Sequence, residues 1–242
     1  MNHKSQENIV TNSTVAILFV HGILGTPCHF SKFIEILPKN FTYYNILLDG
    51  HGLSVSDFSN TNMTKWKNQV EEIFLKIDCE NIIIVAHSMG TLFAIDLAIK
   101  YNKKIKQLFL LAPPLNITLK PSIVIKALKM LYSSKPQEIQ KSYSIEIDRN
   151  LSKYIKWIPN YISLFKEISY IKKHIHLLNV PTTAFFSEND ELVLKKSKKH
   201  LEILPCAEVF LLKNSSHFHY EEQDFKLILK NFNKNNYIKE DF

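Results

Sequence analysis

The run Ile82-Ile83-Ile84-Val85-Ala86-His87-Ser88-Met89-Gly90-Thr91-Leu92 constrains this chain more than any other stretch. Four apolar β-formers in succession read as a strand buried on both faces. A helical pattern begins at once, with Leu92, Phe93, Ile95, Leu97, Ala98 and Ile99 at spacings of three and four. A strand that turns directly into a helix around a serine needs small residues two before and two after it, because the two backbones pass close together there. Ala86 and Gly90 meet that need, giving the strand–serine–helix turn known as a nucleophile elbow. Such a turn holds a serine oxygen at the carboxyl edge of a sheet, at the positive end of a helix.

The rest of the chain alternates in the same way. Strands are predicted at Val15–Val20, Tyr43–Leu48, Ile105–Leu111, Val180–Ser187 and Ala207–Leu212, and helices at about 29–37, 65–77 with Thr64 as N-cap, 192–203 and 221–232. Buried strands separated by helices predict an α/β fold, a doubly wound and mostly parallel sheet. Alternation breaks over 115–178, where short helices are predicted around Ile123, Ala127, Met130 and Leu131 and around Tyr161, Leu164, Phe165 and Ile168. We read this segment as a small helical cap inserted between core segments 14–114 and 179–235; packing against the side of the sheet is the competing reading. The polar tail from Asn233 onward is expected to fray.

In such sheets ligands sit beyond the carboxyl ends of the strands, and the chemistry-bearing residues gather there. His21-Gly22-Ile23-Leu24-Gly25 follows one strand, and its glycines allow backbone N–H groups to converge. Ser88 follows the elbow strand. Asp190 follows the penultimate strand and His217 the last one. A serine hydroxyl needs a base to take its proton, and a histidine base needs an acceptor on its far nitrogen. The candidate catalytic residues are therefore Ser88, His217 and Asp190, with His219 as a rival base and Glu188 and Glu191 as rival acids. Asp49 and His51, in the turn Asp49-Gly50-His51-Gly52, read first as loop-forming. The candidate oxyanion donors are the backbone N–H groups of Ile23 and Met89.

Composition excludes several other classes. The net charge of +7 rests almost wholly on lysine, Arg149 being the sole arginine, and no basic stripe is interleaved with aromatics, so nucleic acid is not an expected partner. No phosphate-binding glycine motif occurs. His217-x-His219 and His174-x-His176 lack a third ligand at metal-site spacing, so neither a metal nor another cofactor is expected. Cys28, Cys79 and Cys206 read as reduced, mostly buried thiols. The polar N-terminus and the shortness of the apolar runs predict neither a signal peptide nor a stable membrane anchor. The expectation is a cytoplasmic monomer or homodimer acting on a small molecule.

Together, His21-Gly22-Ile23-Leu24-Gly25-Thr26-Pro27, Asp49-Gly50-His51-Gly52, Ala86-His87-Ser88-Met89-Gly90, Asn189-Asp190 and Ser216-His217 give a chain that resembles the α/β-hydrolases, in particular small carboxylesterases and monoacylglycerol lipases. The resemblance implies a serine hydrolase, with Ile23 and Met89 as oxyanion donors; the expected reaction is cleavage of carboxylic esters through a Ser-His-Asp triad and an acyl-enzyme, and the apolar cap segment suggests short- to medium-chain acyl groups. The same triad also serves thioesterases, amidases and carbon–carbon bond hydrolases, and a non-catalytic ligand-binding homologue is the remaining alternative. The chain departs from the family pattern at Ala86, where glycine is usual, and at Thr91, where a second glycine is common; Thr91 is expected to tighten the elbow.

Overall fold

A computed structural model describes residues 3–118, 148, 150 and 152–234. Seven strands form one sheet: β1 (Gln6–Asn8), β2 (Val15–Val20), β3 (Thr42–Ile46), β4 (Asn81–His87), β5 (Ile105–Leu111), β6 (Thr182–Ser187) and β7 (Ala207–Leu212). Their spatial order is β1-β3-β2-β4-β5-β6-β7. β1 is antiparallel to β3, and every other pair is parallel.

The helices are α1 (Ser31–Ile34), α2 (Val55–Ser59), α3 (Met63–Lys76), α4 (Met89–Lys100), α5 (Ser152–Ile155), α6 (Ile158–His174), α7 (Lys199–Glu202) and α8 (Glu222–Asn233). Strand side chains alternate between two cores, as the period of two requires. Leu18, Val20, Ile84, Ala86, Leu108 and Leu110 face the layer that holds α3, α4 and α6. Ile17, Phe19, Ile83, Val85 and Phe109 face α1 and α8, where Phe33 and Phe232 pack with ring centres 5.3 Å apart. The predicted doubly wound sheet is thus the observed one. The chain runs from β2 outward to β3 and then returns past β2 to β4. The carboxyl ends of β2 and β4 therefore flank the point where the winding reverses, the place such sheets leave open for a ligand.

Several elements differ from their sequence expectation. β1 escaped prediction because Gln6-Glu7-Asn8 carries no apolar alternation; among the described residues β3 is the one strand it pairs with, and the Asn8 amide also donates to the Lys39 and Phe41 carbonyls. The helix expected over 29–37 is a 3-10 turn at Pro27–Phe30 followed by the single turn α1. That expected over 192–203 is similarly a 3-10 turn at Lys195–Lys198 and then α7. α3 starts two residues early: Asn62, not Thr64, is its N-cap, and the Asn62 side chain accepts from the Lys65 N–H at 3.0 Å. Cys28 is exposed, and Cys79 and Cys206 are only partly buried; all three are free thiols.

Within 115–178, the expected helix around Ile123, Ala127, Met130 and Leu131 lies outside the described residues. α6 buries Leu164, Ile168 and Ile171 against the helical layer, while Phe165 of the predicted stripe is 43% exposed. α6 also serves as the crossover helix that a parallel β5–β6 pair requires. Its N-terminal end is fastened near α2, where Trp157 Nε1–H donates to the Val55 carbonyl at 3.1 Å and the Asn160 amide to the Phe58 carbonyl at 3.3 Å. No helix among the described residues is long and apolar enough to cross a membrane.

Candidate active site

The elbow is built as its sequence demands. Ser88 has φ 50° and ψ −123°, a backbone conformation a non-glycine residue adopts only under constraint. The constraint is visible. The Ser88 N–H donates to the Leu111 carbonyl at 2.8 Å, and the Ser88 carbonyl accepts from both the N–H (2.9 Å) and the hydroxyl (2.7 Å) of Thr91. Thr91 thus turns its departure from glycine into a hydrogen bond that anchors the turn. Gly90 cannot be replaced in the same way, because a Cβ there would lie 2.3 Å from the Val20 carbonyl oxygen.

Three side chains predicted from separate strand ends meet at this turn. His217 Nε2 lies 3.0 Å from Ser88 Oγ, and His217 Nδ1 lies 2.8 Å from Asp190 Oδ2. A carboxylate only accepts, so Nδ1 carries the proton and Nε2 faces the serine with its lone pair. The other carboxylate oxygen, Asp190 Oδ1, accepts from the N–H groups of Leu192 and Val193 at 2.8 and 2.7 Å. The acid is therefore fixed by its own loop. That loop is tied in turn to residues 116–118 by the Thr118–Leu192 and Leu194–Asn116 backbone bonds. Ser88 is 7% exposed and His217 1%.

The rival groups lie elsewhere. His219 is 73% exposed and pairs with Glu221 at 3.3 Å. Glu188 pairs with Lys195. Glu191 touches His217 only through the backbone, its Oε2 accepting the His217 N–H at 3.1 Å. The Asp49 carbonyl accepts from Trp66 Nε1–H at 2.8 Å, and His51 packs among His21, Phe58 and Trp66. Asp49 and His51 thus hold their loop, the role a turn-forming context favours.

The first glycine loop comes against the serine. A Cβ on Gly22 would meet Ser88 Cβ at 2.8 Å, so only glycine lets this backbone approach. Ile23 follows it directly. Met89 opens α4, where a first-turn N–H has no intrahelical acceptor. His21 sets the loop: its Nδ1–H donates to the Gly22 carbonyl at 2.8 Å and its Nε2 accepts from the Leu48 N–H at 3.0 Å. Acceptance at Nε2 requires a neutral ring, and burial holds His21 well below the usual histidine range.

Two features escaped the sequence reading. His87 is buried, its ring centre 4.0 Å from that of His29, and its Nε2–H donates to the His217 carbonyl at 3.0 Å. Burial, reinforced by the neighbouring histidines, depresses its pKa strongly. Asp224, in the first turn of α8, accepts from the Asn214 N–H and the Ser215 hydroxyl at 2.8 and 2.7 Å and so shapes the loop that delivers His217. An acid in a helix first turn is the only sequence signal of that role.

A serine on a strained strand-to-helix turn, hydrogen-bonded through histidine to aspartate at a switch point of a parallel sheet, defines a class, and known proteins agree with it. The chain belongs to the alpha/beta hydrolase fold family, whose model it matches over residues 15–143. It is 25% identical to putative esterase/lipase 1 of Mycoplasma pneumoniae over 91% of both chains. Among solved structures it is similar to a metagenome-derived lipolytic enzyme of the LipS and LipT pair, with a TM-score of 0.71, 15% identity and 96% of each chain covered. It is also similar to the monoacylglycerol lipase of Paleococcus ferrophilus, with a TM-score of 0.67, 17% identity, and 97% of this chain and 98% of that one covered.

Proposed function

We propose that this protein hydrolyses carboxylic esters of short- to medium-chain acyl groups, with Ser88 as nucleophile, His217 as general base and acid, and Asp190 orienting His217. The observation that carries this reading is the unbroken hydrogen-bond chain from Ser88 Oγ through His217 to Asp190 at a strained elbow. Ser88 Oγ attacks the acyl carbon as its proton passes to His217 Nε2. The N–H groups of Met89 and Ile23 receive the developing oxyanion, each such donor lowering the barrier by about 3 kcal/mol. His217 then protonates the leaving alcohol, and water, deprotonated by the same nitrogen, releases the acid from Ser88.

The proposal includes the domain division. In this division 14–114 and 179–235 are the core and 115–178 the cap insertion, with α6 returning from the insertion to pack on the helical layer. The attachment of Trp157 and Asn160 to α2, beside the loop after β3, supports a cap that reaches this edge. Its apolar character supports the acyl range, and the likeness to a monoacylglycerol lipase makes monoacylglycerol the first biological ester to try. A cytoplasmic site of action is part of the proposal and is supported by the three free thiols.

The test is hydrolysis of p-nitrophenyl esters and monoacylglycerols across acyl lengths, with Ser88→Ala in parallel. The variant should lose about four to six decades of kcat. A variant that kept more than about a hundredth of the rate would refute the role of Ser88.

A further inference from the structure

We propose that His87 and Glu191 form a clamp on the main chain of His217 and act as positioning residues for the base. The clamp grips both polar groups of one residue. The His217 N–H donates to Glu191 Oε2 at 3.1 Å, and the His217 carbonyl accepts from His87 Nε2–H at 3.0 Å. The ring of His217 is held separately by Asp190 and Ser88. All four hydrogen-bonding groups of this residue are therefore committed within the site.

The geometry explains why main-chain contacts should matter to catalysis. His217 sits between β7 and α8, in a loop without regular structure. Its ring can swing about the Cα, so the position of the backbone sets where Nε2 arrives. Glu191 is the chain neighbour of Asp190, and His87 is the chain neighbour of Ser88. One arm thus grows from the end of β4, beside Ser88, and the other from the loop that carries Asp190. The clamp ties the histidine loop to both, so a shift of that loop cannot lengthen the Ser88 contact without breaking a bond elsewhere. Misplacement by about 1 Å costs on the order of a hundredfold in rate. Neighbouring rings brace the arm: His87 packs against His29 at 4.0 Å and against His217 at 5.0 Å.

This inference rests on the proposed role of His217, and the test separates the two. His87→Leu and Glu191→Ala each remove one arm. His87→Gln keeps a donor near the Nε2 position, and Glu191→Gln keeps an acceptor. The readouts are kcat and KM on p-nitrophenyl butyrate, the rate at which a fluorophosphonate probe labels Ser88, and the downfield proton resonance of His217 Nδ1–H. Truncation of either arm should lower kcat and labelling by about 10- to 100-fold, leave KM within about threefold and broaden the downfield resonance. Both glutamine variants should recover to within about threefold of the wild type.

Truncated variants that label at the wild-type rate with an unchanged resonance would overturn the clamp. So would glutamine variants as impaired as the truncations, since the hydrogen bond would then not be the agent. If His87→Leu fails to fold, Glu191→Ala reads the same clamp from its other end. A wild-type protein that the probe does not label refutes the serine-hydrolase reading instead, and the resonance still reports on the clamp.

Discussion

Asp190→Asn tests the site most sharply, because the structure fixes which way the amide must face. Asp190 Oδ1 accepts two backbone N–H groups and Oδ2 accepts one ring N–H. Asparagine offers one acceptor and one donor group. If its NH2 faced Leu192 and Val193, two buried donors would confront a donor, at about 1–3 kcal/mol for each unsatisfied group. With its oxygen toward those amides, only the single contact to His217 is altered. The oxygen therefore stays with the loop, and the NH2 faces His217 Nδ1. That nitrogen must now accept, so the ring proton moves to Nε2, opposite Ser88 Oγ, where it blocks proton transfer from the serine. Loss of the correct tautomer and of the charge that stabilises the imidazolium should lower kcat by about 10⁴, or about 5 kcal/mol of barrier. KM and Tm should stay near the wild type, because shape and loop bonds are retained. The assay is steady-state hydrolysis of p-nitrophenyl butyrate beside thermal melts. An Asp190→Asn variant that kept more than about a tenth of kcat would refute the tautomer argument.

Three further outcomes follow from local geometry. Gly90→Ala would press a Cβ to 2.3 Å from the Val20 carbonyl oxygen, so it should cost at least about 1–3 kcal/mol in a urea melt and impair Ser88 labelling; a neutral substitution would mean that the β2–α4 approach is looser than described. Asp224→Ala strips acceptors from the Asn214 N–H and the Ser215 hydroxyl, costing about 1–3 kcal/mol and lowering kcat as the His217 loop relaxes; the same melts and assay check it. Stability should fall with acid. His29 and His51 are pushed by burial to about 4, so above about pH 6.5 they are neutral in both states and contribute nothing, whereas below it the unfolded chain takes up protons that the folded chain refuses. Stability is lost between about pH 6.5 and 4, up to about 3 kcal/mol for His51 alone, and a Tm unchanged over that interval would contradict their burial as neutral rings.

Much of this protein is legible in its sequence, because the signals are local. Val15–Val20, Ile105–Leu111 and Ala207–Leu212 were read to the residue, since a run of apolar β-formers bounded by turn residues leaves little else for the chain to do. The elbow was readable because its steric demand, small residues two either side of the serine, is written within five positions. The order Ser88, Asp190, His217 along the chain, each at a strand's carboxyl end, was enough to propose that they meet.

Tertiary structure decided what depends on long-range geometry. Position along the chain only favours His217 over His219 and Asp190 over Glu191; the loops' approach to Ser88 turns one of each pair inward. β1 owes its strand conformation to pairing with β3, Glu7 opposite Tyr44, a contact between distant parts of the chain that no local pattern announces, and α1 and α7 are single turns that follow 3-10 turns. The grip of His87 and Glu191 on His217 joins residues 130 and 26 positions apart through backbone groups, which no side-chain pattern can announce. Sequence specifies which residue types are available at a sheet edge. Packing alone settles the few tenths of an ångström that decide which of them share a proton.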